Sequence, residues 1–169
     1  MKILISGIVA SGKTTLAKKL SASLNIPCYE GDSIAWGFPD EKRYKRTNEE
    51  QAETIKIIDQ KGDWIIEGTN RESQKMLHDM ADRIIFLDTP LYLRKYRIIM
   101  RWIKQKLGLE KCNYKPDIKM LKHMFIWTND FEKKRDEYEK YLLNFQDKLI
   151  WVRSVKELEK IDLTHCPQE

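Results

Sequence analysis

One eight-residue segment near the start of the chain constrains the fold more than any other feature. The segment is Gly7-Ile8-Val9-Ala10-Ser11-Gly12-Lys13-Thr14, which fits the pattern GxxxxGK[ST] at every defined position. An apolar run from Lys2 to Ser6 precedes it, and a helical pattern with Leu16, Ala17 and Leu20 follows it. A strand, a glycine-rich turn and a helix in this order are typical of a phosphate-binding loop, because N–H groups at a helix N-terminus and a lysine ammonium attract anions.

The residues expected to hold phosphate groups in this loop belong to the motif and the position after it. They are Gly7, Ala10, Ser11, Gly12, Lys13, Thr14 and Thr15. The glycines allow the chain to wrap closely around a phosphate, Lys13 adds a full positive charge, and the Thr14 hydroxyl is expected to bind Mg²⁺. A glycine-rich turn without a ligand is the alternative interpretation.

Short apolar runs alternate with helical patterns along the rest of the chain, which is typical of βαβ units and a parallel sheet. The candidate strands are Lys2 to Ser6, Pro27 to Glu30, Trp64 to Glu67, Arg83 to Asp88 and Leu149 to Arg153. Thr47 and Glu50 have capping-box spacing, and Thr89 is expected to cap a helix with Pro90 at its first position. With 169 residues, 41% of them hydrophobic, we expect a single domain spanning 1–169.

Composition excludes several classes of protein. Charged residues make up 34% of the chain, which argues against a membrane-spanning protein, and five Trp, seven Tyr and five Phe argue against disorder. The three cysteines, Cys28, Cys112 and Cys166, lie far apart without a CxxC pair, so neither a disulfide framework nor a zinc site is indicated. We therefore expect a cytoplasmic protein that does not act at a membrane.

A helical segment from Leu91 to Leu107 contains no acidic residue. At about 100° per residue its side chains fall on two faces. The apolar face, expected to pack against the protein, comprises Tyr92, Tyr96, Ile99, Ile103 and Leu107. The basic face, expected to meet an anion or water, comprises Arg94, Arg97, Arg101 and Lys104. Residues 94–122 contain ten basic and two acidic residues, a local charge of +8 in a chain of net charge +5, so the basic character is local.

The order of elements from Lys2 to about Ile161 resembles the small P-loop kinases of the nucleoside monophosphate kinase group. Four segments are most similar to the DNA topology modulation (FlaR-related) proteins, an adenylate-kinase-like family: Gly31 to Trp36, Asp63 to Asn70, Phe86 to Pro90 and Arg97 to Arg101. This resemblance implies an α/β, three-layer P-loop NTPase fold. Its five-stranded parallel sheet would have the order 2-3-1-4-5, flanked by helices, with a helical lid insertion at about 102–130.

The resemblance also implies a reaction. The protein would bind ATP and Mg²⁺ and transfer the γ-phosphoryl group to a nucleoside monophosphate or a similar small acceptor that bears a phosphate or a hydroxyl group. The catalytic residues it implies are Lys13, Arg97, Arg101 and Asp32. Arg97 would lie over the adenine of ATP, and Arg101 would reach the transferring phosphoryl group, where charge develops.

The remaining site residues follow from the same resemblance. Thr14 and Glu67 would be the metal residues, with Glu67 ordering the Mg²⁺ shell. Asp32, Trp36 and Arg71 would bind the acceptor; Asp32 is interpreted either as a general base or as a residue that orients the substrate. The chain departs from the adenylate kinase pattern at Thr69 and Asn70, next to this group.

A second class of function stays open because of the basic segment. A nucleic-acid-associated P-loop ATPase, acting as a regulator of DNA topology, would use such a segment to contact phosphate backbones. The mild net charge and the lack of a recognised DNA-reading motif favour the kinase instead. The sequence identifies neither the acceptor nor the oligomeric state.

Overall fold

A computed structural model describes residues 1–37, 44–110 and 116–158. The strands are β1 Lys2–Ser6, β2 Cys28–Glu30, β3 Trp36–Gly37, β4 Tyr44–Lys45, β5 Trp64–Gly68, β6 Arg83–Leu87 and β7 Leu149–Val152. The helices are α1 Lys13–Leu24, α2 Gly31–Ala35, α3 Asn48–Gln60, α4 Met76–Met80, α5 Leu91–Lys106, α6 Ile118–Lys133, α7 Arg135–Leu142 and α8 Val155–Leu158. Short 3₁₀ turns occupy Glu72–Gln74 and Leu143–Phe145.

The central sheet has the predicted topology. Its strand order is β2-β5-β1-β6-β7, and every neighbouring pair is parallel. If the five strands of this sheet are numbered by themselves, the order is 2-3-1-4-5, as expected from the resemblance. Strands β3 and β4 form a separate antiparallel pair that the sequence patterns did not predict.

Alternate side chains of the strands build two apolar layers. On one face Leu4, Ile66 and Phe86 pack with residues of α3, α4 and α7. On the other face Ile5 and Ile85, with their apolar neighbours, pack with residues of α1 and α8. Because both faces are covered, the strands are continuous hydrophobic runs, and the sheet edge at their carboxyl ends is left to carry polar groups.

Helix α5 does not bury the face that the sequence predicts. The residues of its apolar face are exposed, with Tyr92 and Leu107 at 71% and 67%. Arg94, Ile98 and Gln105 are buried instead. Arg94 of the basic face is 1% exposed, so it does not meet water, and the anion it contacts is the Glu132 carboxylate of α6. The buried stripe matches neither predicted face, since Ile98 and Gln105 belong to neither of them.

Of the two predicted helix starts, the structure confirms the one at Thr47 but not the one at Thr89. Thr47 and Glu50 form a capping box, because Glu50 N donates to Thr47 Oγ1 at 3.2 Å and Thr47 N donates to Glu50 Oε2 at 2.7 Å. The Thr89 prediction is wrong: α5 begins at Leu91 with Pro90 at its N-cap. The Thr89 hydroxyl donates instead to the backbone of the phosphate-binding loop.

The predicted lid at 102–130 includes residues 111–115, which lie outside the described part of the chain. Within the described residues, α5 continues to Lys106 and α6 begins at Ile118. The lid and the single domain over 1–169 therefore stay predictions. No helix in the described ranges is long and apolar enough to cross a membrane.

Candidate functional site

The predicted phosphate-binding loop joins the end of β1 to the start of α1, at the carboxyl edge of the sheet. Gly12 precedes α1 with a φ of 105°, and Ala10 is also left-handed with a φ of 59°. At Gly7 a Cβ atom would lie 2.9 Å from the carbonyl oxygen of Leu87, so the loop packs tightly against the end of β6. The first turn of α1 contains no acidic residue and no side chain caps it, so its N–H groups suit an anion.

Lys13 lies beneath this loop and is 9% exposed. Its Nζ donates to the Ile8 carbonyl oxygen at 3.0 Å. Burial lowers the pKa of the Lys13 ammonium, while the negative charges of Glu67 and Asp32 raise it. A phosphate in the loop would bring more negative charge to this ammonium and favour its charged form.

The two predicted metal residues are in direct contact. Thr14 Oγ1 donates to Glu67 Oε1 at 2.7 Å, which connects the first turn of α1 to the end of β5. Burial raises the pKa of the Glu67 carboxyl, and the Lys13 charge and the Thr14 hydrogen bond act in the opposite direction. Hydroxyl and carboxylate oxygens are the hard ligands that Mg²⁺ takes, together with substrate phosphates. The donor set therefore fits this metal.

The backbone of the loop at Ser11 is fixed by side chains from the next strand and helix. The Ser11 carbonyl oxygen accepts hydrogen bonds from Thr89 Oγ1 at 2.8 Å and from Arg97 Nη1 at 2.7 Å. Because C=O and N–H of a trans peptide point in opposite directions, holding this carbonyl also fixes the direction of the Gly12 N–H. Ser11 Oγ is buried without a hydrogen-bond partner among the described residues, which leaves a polar atom for a ligand.

The predicted catalytic arginines lie in different surroundings. Arg97 contacts the loop itself, since its Nη1 also donates to the Ala10 carbonyl oxygen at 3.2 Å. Arg101 Nε forms an ion pair with Glu110 Oε1 at 3.1 Å, and its side chain is 48% exposed. The Arg101 charge contributes to lowering the pKa of Lys13, so Arg101 lies within electrostatic range of the loop.

The predicted acceptor residues lie at the ends of β2 and β5. Asp32, in α2, forms an ion pair with Arg71, which follows β5. The Asp32 side chain is 70% exposed, whereas that of Arg71 is 28% exposed. Trp36 is half-buried at the start of β3, four residues after Asp32, and its carbonyl oxygen accepts from Arg46 Nη1 at 3.0 Å. Thr15, predicted to hold phosphate, is exposed on the first turn of α1.

Sequence reasoning missed several polar contacts behind the loop. Tyr138 of α7 forms a buried hydrogen bond with Ser6 at the end of β1, and burial raises the pKa of the Tyr138 phenol to about 12. Arg135 forms an ion pair with Asp88 at the end of β6. These partners are far apart in the chain, so no local spacing could have identified them.

Comparison with known proteins identifies the fold of this chain but does not assign it to a family. No protein-family model matches the chain, and no curated protein matches it significantly, so the resemblance to topology modulation proteins is not confirmed. Among solved structures, shikimate kinase from Bacteroides thetaiotaomicron has a TM-score of 0.57 at 16% identity, covering 95% of this chain and 97% of that one.

Two further structures extend this likeness. Deoxyadenosine kinase from M. mycoides has a TM-score of 0.54 at 16% identity over 95% of this chain and 100% of that one. A gluconokinase from Sinorhizobium meliloti 1021 has a TM-score of 0.51 at 14% identity over 94% and 87%. The chain therefore has the α/β P-loop NTPase fold of these small kinases.

Proposed function

We propose that this protein is an ATP-dependent phosphotransferase that transfers the γ-phosphoryl group of ATP to a small acceptor. The observation that carries this proposal is the hydrogen bond between Thr14 and Glu67 beside the buried Lys13. Phosphoryl transfer needs a phosphate cradle, a cation on the β- and γ-phosphates and ligands for Mg²⁺. The residues that could meet these three needs lie together at one sheet edge.

Each residue of this group has a role that its surroundings support. The N–H groups of the loop and Lys13 would hold the phosphates, and Thr14 and Glu67 would hold Mg²⁺. When bound, the metal would neutralise charge on the phosphate oxygens. Arg97 is anchored on the loop backbone, where it would keep the cradle in shape and add positive charge.

Arg101 could exchange its present ion pair for a contact with a phosphoryl group. Its ion pair with Glu110 is half exposed, and such pairs contribute only about 0–1 kcal/mol. Exchanging the Glu110 carboxylate for a phosphate therefore costs little, and the fork of the guanidinium fits phosphate oxygens.

A small acceptor is the better-supported part of this proposal. Shikimate, gluconate and deoxyadenosine kinases are named for small acceptors, which supports a small acceptor here. The nucleic-acid alternative is not favoured. Its basic face is partly used inside the protein, because Arg94 is paired with Glu132 and Arg97 donates to the backbone of the loop.

The test is ADP production from Mg·ATP with a panel of nucleosides, nucleoside monophosphates, sugars and sugar acids, with duplex DNA as a further addition. We expect stimulation by one class of small acceptor and none by DNA. Lys13→Ala should lower the turnover by about 100-fold or more, as losses of transition-state donors do. Lys18→Ala, which removes an exposed lysine of the same helix, is the matched control. Full turnover in the folded Lys13→Ala protein would refute the proposal.

A further inference from the structure

The apolar face of α5 is turned away from the rest of the protein. Its members are between 37% and 71% exposed: Tyr92, Tyr96, Ile99, Ile103 and Leu107. At about 100° per residue they lie opposite the buried residues Arg94, Ile98 and Gln105. The face presents roughly 500 Å² of apolar surface, a size at which such a patch usually marks a binding surface. This face is therefore a candidate docking surface.

Lysines flank the apolar face on both sides. Lys95 and Lys106 lie within about 40° of Ile99 around the helix axis, and Lys104 lies about 60° beyond Leu107 on the other side. Lys104 and Lys106 are exposed, and Lys95 is half-buried. No acidic residue occurs in α5. A partner suited to this face combines an apolar region with negative charge at its edges.

A second copy of the chain does not meet this requirement. If two apolar faces packed together, the flanking lysines of one α5 would lie beside those of the other, and neither helix has a carboxylate to compensate them. Lysine is also depleted in protein–protein interfaces in general. An anionic lipid surface meets both parts of the requirement. Its acyl boundary takes up apolar side chains, and long lysine side chains reach from there to the phosphates of the headgroups.

We infer that α5 lies in the plane of an anionic phospholipid surface, with its apolar face at the boundary of headgroups and acyl chains and its flanking lysines against the lipid phosphates. This inference goes beyond the proposed function and does not depend on it. The composition argues against a segment that spans a bilayer, which needs about 20 apolar residues. A helix that lies on the surface needs only one apolar face with cationic flanks, and the 16 residues of α5 provide about 24 Å of it.

The test is flotation of the purified full chain with lipid vesicles, without nucleotide. Vesicles of phosphatidylcholine and phosphatidylserine in equal parts are compared with vesicles of phosphatidylcholine alone, at low and at high salt. We expect binding to the anionic vesicles to be about tenfold stronger or more, because each lysine near an anionic surface contributes about fivefold. High salt should remove most of this difference. Failure to bind the anionic vesicles at low salt would overturn the inference.

Two matched substitutions test the apolar face. Ile99→Ser should lower the partition coefficient for anionic vesicles about tenfold, because it removes an apolar side chain from the lipid boundary. Ile57→Ser makes the same change at an isoleucine of α3 that is 50% exposed, and it should leave binding unchanged. Equal losses from the two substitutions, with both proteins folded by circular dichroism, would overturn the inference. So would a dimer, seen in sedimentation velocity without lipid, that Ile99→Ser dissociates, because the face would then belong to a second copy.

Two further substitutions test the cationic flank. Lys104→Glu should lower the partition coefficient about fivefold or more, whereas Lys18→Glu, an equal change of charge at an exposed lysine of α1, should have little effect. Equal effects of these two substitutions would show that binding follows net charge and not α5, and would overturn the inference.

Discussion

In the ion pair between Arg94 and Glu132, we expect replacement of the more exposed residue to lower the stability of the protein more than replacement of the buried one. The Arg94 side chain is 1% exposed, whereas that of Glu132 is 28% exposed. Glu132 also has a second cation, because Arg135 Nη1 lies 3.9 Å from its Oε2. Replacing Glu132 leaves a buried guanidinium without a counter-ion, but replacing Arg94 leaves a partly hydrated carboxylate that keeps Arg135. We therefore expect Glu132→Gln to destabilise the protein more than Arg94→Met.

The expected magnitudes follow from these exposures. Removing the partner of a buried charge lowers the free energy of unfolding by about 3–5 kcal/mol. We expect Glu132→Gln at the lower end of this range, because the amide oxygen of Gln still accepts a hydrogen bond from Arg94. Arg94→Met loses that ion pair and the hydrogen bond from Nε to the Thr89 carbonyl oxygen at 2.8 Å. It keeps an apolar stem, and it removes a buried Nη1 that has no hydrogen-bond partner among the described residues. We therefore expect Arg94→Met to lower the free energy of unfolding by about 1–2 kcal/mol.

Urea denaturation followed by circular dichroism measures both free energies of unfolding, and thermal denaturation of the same proteins measures Tm. At about 2–4 °C per kcal/mol for a chain of this size, Glu132→Gln should lower Tm by about 6–12 °C and Arg94→Met by about 2–8 °C. The double variant should be more stable than the sum of the single losses predicts, because it contains no unpaired buried charge. Glu137→Gln, an exposed change on α7, should stay within about 0.5 kcal/mol of the parent. A larger loss for Arg94→Met, or strictly additive losses, would refute this reasoning.

Three further predictions concern the loop and the core. Gly12→Ala should cost about 1–2 kcal/mol in urea denaturation and weaken ATP binding in calorimetry, since its φ of 105° is left-handed; an unchanged stability would contradict this. Burial lowers the pKa of the His78 imidazole, so the unfolded chain binds more protons. Stability should therefore fall as the pH drops below the ordinary value of 6.5, and His78→Gln should remove that slope. Tyr138→Phe should cost about 1 kcal/mol through its lost bond to Ser6, and it should remove the tyrosine that ionises near pH 12 in an absorbance titration.

The sheet and the loop could be predicted because their signals are local. Each strand is an apolar run between turn residues, and the phosphate-binding motif is contiguous in the chain. The predicted strand bounds differ from the observed ones by one residue at most; Pro27, for example, lies just before β2. The pair of β3 and β4 escaped prediction because each strand is only two residues long.

The packing of α5 could not be predicted, because an amphipathic pattern assumes that the apolar face is the buried one. Here an arginine is buried instead, and its compensation by Glu132 depends on a residue 38 positions later in the chain. The same holds for the contacts that fix the site. Thr89 and Ser11 are separated by 78 residues, and Tyr138 and Ser6 by 132. Such pairs become visible only once the fold brings the strand ends together.

The proposed function requires that the γ-phosphoryl group leaves ATP for a small acceptor. The most direct measurement incubates the protein with [γ-³²P]ATP, Mg²⁺ and the acceptor panel, then separates the products chromatographically. We expect label in one small acceptor, with that transfer lost in Lys13→Ala and kept in Lys18→Ala. Label that appears only in inorganic phosphate, whatever acceptor is present, would contradict the phosphotransferase function.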